Sequence, residues 1–181
     1  MSNNSKTLTP KLVKKLWLAF ILLILLMGAS YIFVTGYFAN KHNQATFQRV
    51  NSNLANEMIA EMFQNDSPFL EDGSVNKPLF GDLMHDMMAI NRSIEVYLLD
   101  NSGEIIYSVV LDHSEDAPRK SVSLEPIQKF IAAEGQEYIL GDNPKHLEEK
   151  EIFSAAPYQV DGHEGYIYII LAGEKFQLAS D

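Results

Sequence analysis

Between Lys15 and Lys41 the chain carries no charged side chain, and 23 consecutive residues of that interval, Leu16 to Phe38 (LWLAFILLILLMGASYIFVTGYF), are almost all apolar. A helix that is apolar on every side has to be buried in a large core or in lipid. At ~1.5 Å per residue this run makes a helix of roughly 34 Å, against a hydrocarbon core of about 30 Å. Trp17 and Tyr37 stand near its ends, where interfacial aromatics belong. Lys6, Lys11, Lys14 and Lys15 precede the run and Lys41 alone follows closely. The positive-inside bias therefore predicts a cytoplasmic basic tail (1–15), a transmembrane helix (16–38) and an outer location for 39–181. A cleaved secretory signal has a similar basic start, but its apolar region is shorter, about 7–15 residues, and ends at a small-x-small site. Here Gly28-Ala29-Ser30 is followed by eight more mostly apolar residues, so an uncleaved anchor is expected.

Charge divides the chain at the same place. All 24 acidic residues, but only ten of the 14 Lys and Arg, lie after Phe38, which gives that part a net charge of −14. So acidic a body repels phosphates, and nucleic acid is not an expected partner. No cysteine occurs, which removes disulfide scaffolds, thiolate zinc sites and cysteine nucleophiles.

Beyond the span, 40–64 lacks Gly and Pro, and Phe47, Val50, Leu54, Met58 and Met62 step by three or four, with Ala55, Ile59 and Phe63 widening the stripe. That spacing predicts a membrane-proximal helix over 39–66. Its stripe suits packing on its own domain, or pairing with a second copy in a homodimer across a coiled-coil-like seam. Turn formers over Asn65–Pro78 end it, and Leu79–Asn91 reads as a second helix with Phe80, Leu83, Met84, Met87 and Ile90 on one face. The period then changes. Ser93–Leu99 and Glu104–Leu111 are β-branched and aromatic runs joined by Asp100-Asn101-Ser102-Gly103, a hairpin signature. After a polar loop, His113–Lys120, Ser123 is placed to cap a helix over Leu124–Glu134, with Pro126 in its first turn, Gly135 as its stop, and Ile127, Phe130 and Ile131 inward. Glu137–Leu140 reads as a short strand and Gly141–Glu151 as a charged loop. Ile152–Val160 and Tyr166–Leu171 read as two strands around DGHEG. Helix, helix, hairpin, helix, hairpin is the order of an α+β domain over 67–181, an antiparallel sheet with flanking helices.

With that order in place, the chain resembles the extracytoplasmic PAS-like (PDC or Cache) sensor region of bacterial membrane-bound two-component sensor histidine kinases. The basic tail, the span, the helix leading out of it, VYLLDNSGEIIYS (Val96 to Ser108), YILGDNPKH (Tyr138 to His146) and IFSAAPYQVDGHEGYIYIILAGE (Ile152 to Glu174) carry the resemblance. It implies location in the bacterial inner membrane with a periplasmic or extracellular domain, and a second span and cytoplasmic kinase after Asp181. Neither occurs in these 181 residues, so no catalysis is expected of the chain by itself.

Four clusters are candidate sites. Ser154, Asp161 and His163 have the residue types of a hydrolase trio, but Ser154 lies mid-strand without the glycine-flanked elbow that exposes a nucleophile. No catalytic residue is assigned. Met84, Met87, Met88 and His85, with Met58 and Met62 upstream, suit Cu(I) by softness. Met84 and Met87 share the stripe of Phe80, Leu83 and Ile90, however, where methionine fills core space. No metal and no cofactor is expected. Glu148, Glu149 and Glu151, near Asp142, form an acidic loop suited to divalent cations or cationic peptides by charge, or to a solubilising surface, which is the expectation. Tyr97, Tyr107, Tyr158, Tyr166 and Tyr168 all fall in predicted strands, where phenols can wall a small-molecule pocket or simply pack. Arg119, beside Lys120 in the loop before the third helix, is placed to neutralise a carboxylate ligand or to stand in solvent. Those five tyrosines and Arg119 are the candidate ligand-binding residues. The expected function is signal input, relaying an unknown small-molecule or protein stimulus across the membrane. The alternatives are a single-pass periplasmic interaction module, or the input domain of a chemoreceptor or cyclic-dinucleotide enzyme.

Overall fold

The computed structural model describes residues 10–82, 94–109 and 119–171, with the backbone alone for 62–65. The methionine–histidine cluster at 84–88, most of the predicted Leu79–Asn91 helix and the polar loop from His113, and residues 172–181 lie outside the described residues. Two compact units divide the chain, 1–42 and 43–181.

Over its described residues the first unit is helical. Helix α1 (Pro10–Val50) contains the whole uncharged run, and its large apolar side chains, Leu18 (72%), Ile32 (72%) and Phe33 (78%) among them, are exposed. It is long and apolar enough to cross a membrane.

The second unit is α+β. After the last residues of α1 come α2 (Leu54–Asn65), β1 (Ile94–Asp100), β2 (Ile105–Val109), α3 (Leu124–Ala132), β3 (Leu140–Asp142), β4 (Lys150–Val160) and β5 (His163–Leu171). The five strands form one antiparallel sheet in the order β2-β1-β5-β4-β3. Its first and last strands are central neighbours, in register from Ile94↔Leu171 to Asp100↔Gly165. Both faces are buried. Val96, Leu98, Ile152, Ala156, Ile167 and Ile169 pack under Ala55 and Met58 of α2 and under Phe69 and Phe80. Tyr97, Leu99, Phe153, Tyr168 and Ile170 pack under Ile127 and Phe130 of α3.

Turn chemistry accounts for both long hairpins. At the first, the Asp100 carboxylate accepts from the Ser102 and Glu104 N–H groups (2.8 Å each) and the Ser102 hydroxyl (2.7 Å). At the second, only Asp161 (φ 50°) and Gly162 (φ 81°) turn, and Val160 pairs with His163. Two successive positive φ values make the tight connection that matches strand twist. The turn is thus shorter than DGHEG, and β5 begins at His163.

Four other expectations are corrected. The helix predicted over 39–66 is interrupted at Asn51-Ser52-Asn53: Ser52 N–H donates to Arg49 O (3.3 Å) and Leu54 N–H to Asn51 O (3.2 Å), tightening the chain, while the Asn51 amide donates to Phe47 O (2.8 Å). Short polar side chains that bond to nearby backbone compete with helix propagation. The apolar stripe also fails at the end of α1, where Phe47 (37%) and Val50 (77%) are exposed and Gln48 (1%) is buried. The strand predicted at Glu137–Leu140 is Leu140–Asp142. Ser123 does occupy the N-cap of α3, but its side chain makes no cap; its N–H donates to Asp142 Oδ2 (2.9 Å).

Candidate functional site

The most unusual group in the second unit is the Gln48 carboxamide. Burying an amide is costly unless its donors and acceptor are satisfied, and all are. Nε2 donates to Ile139 O (2.8 Å) and Phe153 O (2.9 Å), and Oε1 accepts from Ile139 N–H (3.1 Å). The side chain sits where β3 and β4 part, one residue beyond the last ladder pair, Leu140↔Ile152. Residue 139 is lost to the strand because its polar groups are spent on α1.

Polar contacts flank it on both sides. One turn earlier, Gln44 Oε1 accepts from the Tyr138 hydroxyl (2.6 Å). One turn later, Ser52 O accepts from the Ser154 hydroxyl (2.9 Å), which in turn accepts from Ala55 N–H (3.2 Å). Ser154 is fully buried. The helix break therefore has a use: it frees the Ser52 carbonyl for the sheet. Residues 44, 48 and 52 form a polar seam between the α1–α2 junction and β3–β4.

Ser154 is not part of a hydrolase trio. It pairs with Ile169, whereas His163 pairs with Val160, six residues along β4, a separation of roughly 20 Å at strand rise. His163 instead stacks on Phe69 (centroids 4.0 Å apart, planes 16°), and Asp161 is in the turn.

The candidate tyrosines do not share a face. Tyr107 and Tyr158 lie on the α2 side, with Tyr107 edge-on to Phe80 (5.3 Å). Tyr97, Tyr166 and Tyr168 lie on the α3 side. Tyr97 and Tyr168 are fully buried, 6.4 Å apart between ring centres. Tyr97 donates to Glu95 Oε2 (2.7 Å), whose other oxygen pairs with Lys145 (2.9 Å). Tyr168 donates to Asp142 O (2.8 Å). Burial, then the bond to Glu95, pushes the Tyr97 phenol far above its usual range; burial, then the Asp142 charge, does the same to Tyr168. Tyr158 donates to Leu99 O (3.1 Å) and is pushed up to about 12 by burial and then by Asp100. All three phenols are neutral donors at physiological pH.

Arg119 neither stands in solvent nor points a free guanidinium at a cavity. It donates to Leu147 O (2.6 Å) and Asn143 O (3.3 Å) and lies 3.7 Å from Asp142 Oδ2. Burial opposes ionisation of Asp142, but Ser123 N–H, Lys150 (3.2 Å) and Arg119 outweigh it and hold the carboxyl below its usual range. Arg119, Asp142, Lys145 and Asn143 thus bind the β3–β4 loop to itself and to β1. Tyr158 and Tyr166 meet at an open depression of about 420 Å³, lined also by Asn101, Pro157, Gln159, Glu164 and Gly165. Among the described residues no group of three or more His, Asp or Glu side chains is arranged to hold a metal ion.

The residues missed by pattern reading are Gln44, Gln48 and Ser52. Their i, i+4, i+8 spacing is a polar stripe, visible in the sequence, but a polar stripe is ordinarily assigned to solvent. Comparison with family models, curated proteins and solved structures returned no match.

Proposed function

We propose that residues 43–171 belong to the sensory input domain of a membrane-bound two-component sensor histidine kinase, relaying an extracytoplasmic stimulus inward. The observation that carries the reading is α1. Helix α1 contains the apolar run, and in its last turn carries Gln48, bonded to backbone of β4 and of the residue before β3. In this reading a change in sheet packing at β3–β4 acts through Gln48 on the last turns of α1. Relay of this kind needs two states of similar energy and a stimulus that favours one. The PAS-like assignment is supported by a five-stranded antiparallel sheet flanked by helices and by the motif resemblance given above.

Two results are expected. The chain has no cysteine, so single cysteines report without background. In spheroplasts a membrane-impermeant maleimide labels Asn101→Cys in the exposed hairpin turn, and Lys6→Cys only after lysis. The opposite pattern, or labelling of both, removes the outside-in reading. Second, Phe47 and Val50 form the outward apolar edge of the α1 end, and the proposal uses it as the homodimer seam. Val50→Cys then yields a disulfide-linked dimer in membranes under mild oxidation, and Asn56→Cys, exposed on α2, does not. Equal, slow cross-linking of both would sink the seam. Extension of the reading frame past Asp181 into a second span and kinase motifs is the matching genetic observation, and a frame leading to any other output domain overturns the kinase assignment.

A further inference from the structure

In an antiparallel ladder, pairs that exchange both N–H···O bonds alternate with pairs that exchange none. Asn143 N–H donates to Glu149 O (3.2 Å), so 143/149 is a bonded position. With the register Gly141↔Glu151 and Leu140↔Ile152, the next bonded positions are 141/151 and then 139/153. Of the three backbone groups held by Gln48, Ile139 N–H and Phe153 O would pair with each other in a longer β3–β4 ladder, and Ile139 O would accept from Phe153 N–H. The two carbonyl oxygens lie 2.8 and 2.9 Å from one nitrogen, so a single carboxamide is what stands between the two strands at this position.

We infer that Gln48 is a removable wedge: seated, it stops the β3–β4 ladder at Leu140↔Ile152, and withdrawn, it lets the ladder close through Ile139↔Phe153. The inference supplies a switch for the input domain proposed above and rests on that reading for its use, though not for its geometry. In the seated state the carboxamide satisfies Ile139 N–H, Ile139 O and Phe153 O; in the withdrawn state Ile139 and Phe153 satisfy each other, and the carboxamide turns to water. Buried polar groups left without partners would forbid an intermediate position, so the element has two positions rather than a continuum. Withdrawal also extends the ladder toward the non-bonded pair 138/154.

The test is nuclear magnetic resonance on the full 181-residue chain in detergent micelles, comparing wild type, Gln48→Ala and Gln48→Glu. Gln48→Ala removes the wedge, and Gln48→Glu replaces two N–H donors with an acceptor facing two carbonyls, which expels it. In both variants the Ile139 amide keeps hydrogen-exchange protection within about tenfold of wild type, because Phe153 O replaces Gln48 as its acceptor. In at least one of them an α-proton contact appears between Tyr138 and Ser154, the next, non-bonded pair, where Cα atoms approach to about 4.5 Å; wild type lacks it. Exchange of Ile139 at the rate of an unstructured amide in both variants overturns the wedge, as does absence of the 138–154 contact from both. Loss of protection throughout the sheet overturns it too, since a ladder able to close would keep the sheet folded. None of these readouts involves a kinase or membrane orientation, so the sensor reading can fail while the wedge stands, and the reverse.

Discussion

Gly165→Ala is expected to destabilise the second unit by about 3 kcal/mol, the upper range for forcing an extra carbon into a packed interior. Gly165 lies on the central strand β5, paired with Asp100 of β1 on one side and Tyr158 of β4 on the other. A Cβ there would overlap the Leu99 carbonyl oxygen and come within 2.8 Å of the Tyr158 hydroxyl and 3.0 Å of Asp100 Cα. Two of those three atoms are backbone of the neighbouring central strand, so relief means parting β1 from β5. The Tyr158–Leu99 hydrogen bond (3.1 Å) goes with it. Gly162→Ala is the comparison: its Cβ meets nothing within 4 Å, but its φ is +81°, so it costs only the left-handed penalty of about 1–2 kcal/mol. Thermal denaturation of the full chain in detergent, followed by near-ultraviolet circular dichroism, ranks the two. A Gly165→Ala midpoint at or above that of Gly162→Ala would mean that β1 and β5 are not packed as described.

Phe153→Ala is expected to cost about 4 kcal/mol, typical for truncating a fully buried phenylalanine, and to lower the same midpoint by about 10 °C or more. Phe153 is fully buried, with its ring centre 4.9 Å from Phe130 and 5.0 Å from Tyr168. It joins α3 to the centre of the sheet. Its carbonyl also accepts from Gln48 (2.9 Å), so a shift of β4 into the vacancy disturbs the seam as well as the core. Phe153→Leu, which keeps most of the volume, is expected to lose markedly less. If Ala and Leu lower the midpoint equally, the aromatic stack rather than filled volume is what matters at this position.

Features written within a few neighbouring residues were legible. Asp100-Asn101-Ser102-Gly103 announced its hairpin because an aspartate bonding two and four residues ahead is local chemistry. Ile127 and Phe130 fell on the buried face of α3 because helical periodicity is local as well. Gln48 was not legible. On hydropathy it belongs to the solvent face, and its burial follows from partners 91 and 105 residues away. The tyrosines were legible as strand residues but not as members of a site, because period-two alternation assigns faces only once the register is known. Register put Tyr158 and Tyr168 on opposite sides.

What the residues by themselves determined is the uncharged helix of lipid-spanning length, the acidic body that follows it, and the hairpins and short helix whose signals span a few positions. Those outcomes depend on transfer free energy and on turn and helix chemistry, which act over one or two turns of chain. Tertiary structure alone decided the order β2-β1-β5-β4-β3, which sets the first strand against the last. It also decided the late start of β3 and the seat of Gln48. Each of these is a choice among hydrogen-bond partners that are distant in sequence. A backbone N–H or a side-chain amide satisfies itself equally well with water, helix or strand, and only the packed chain determines which of them is within reach.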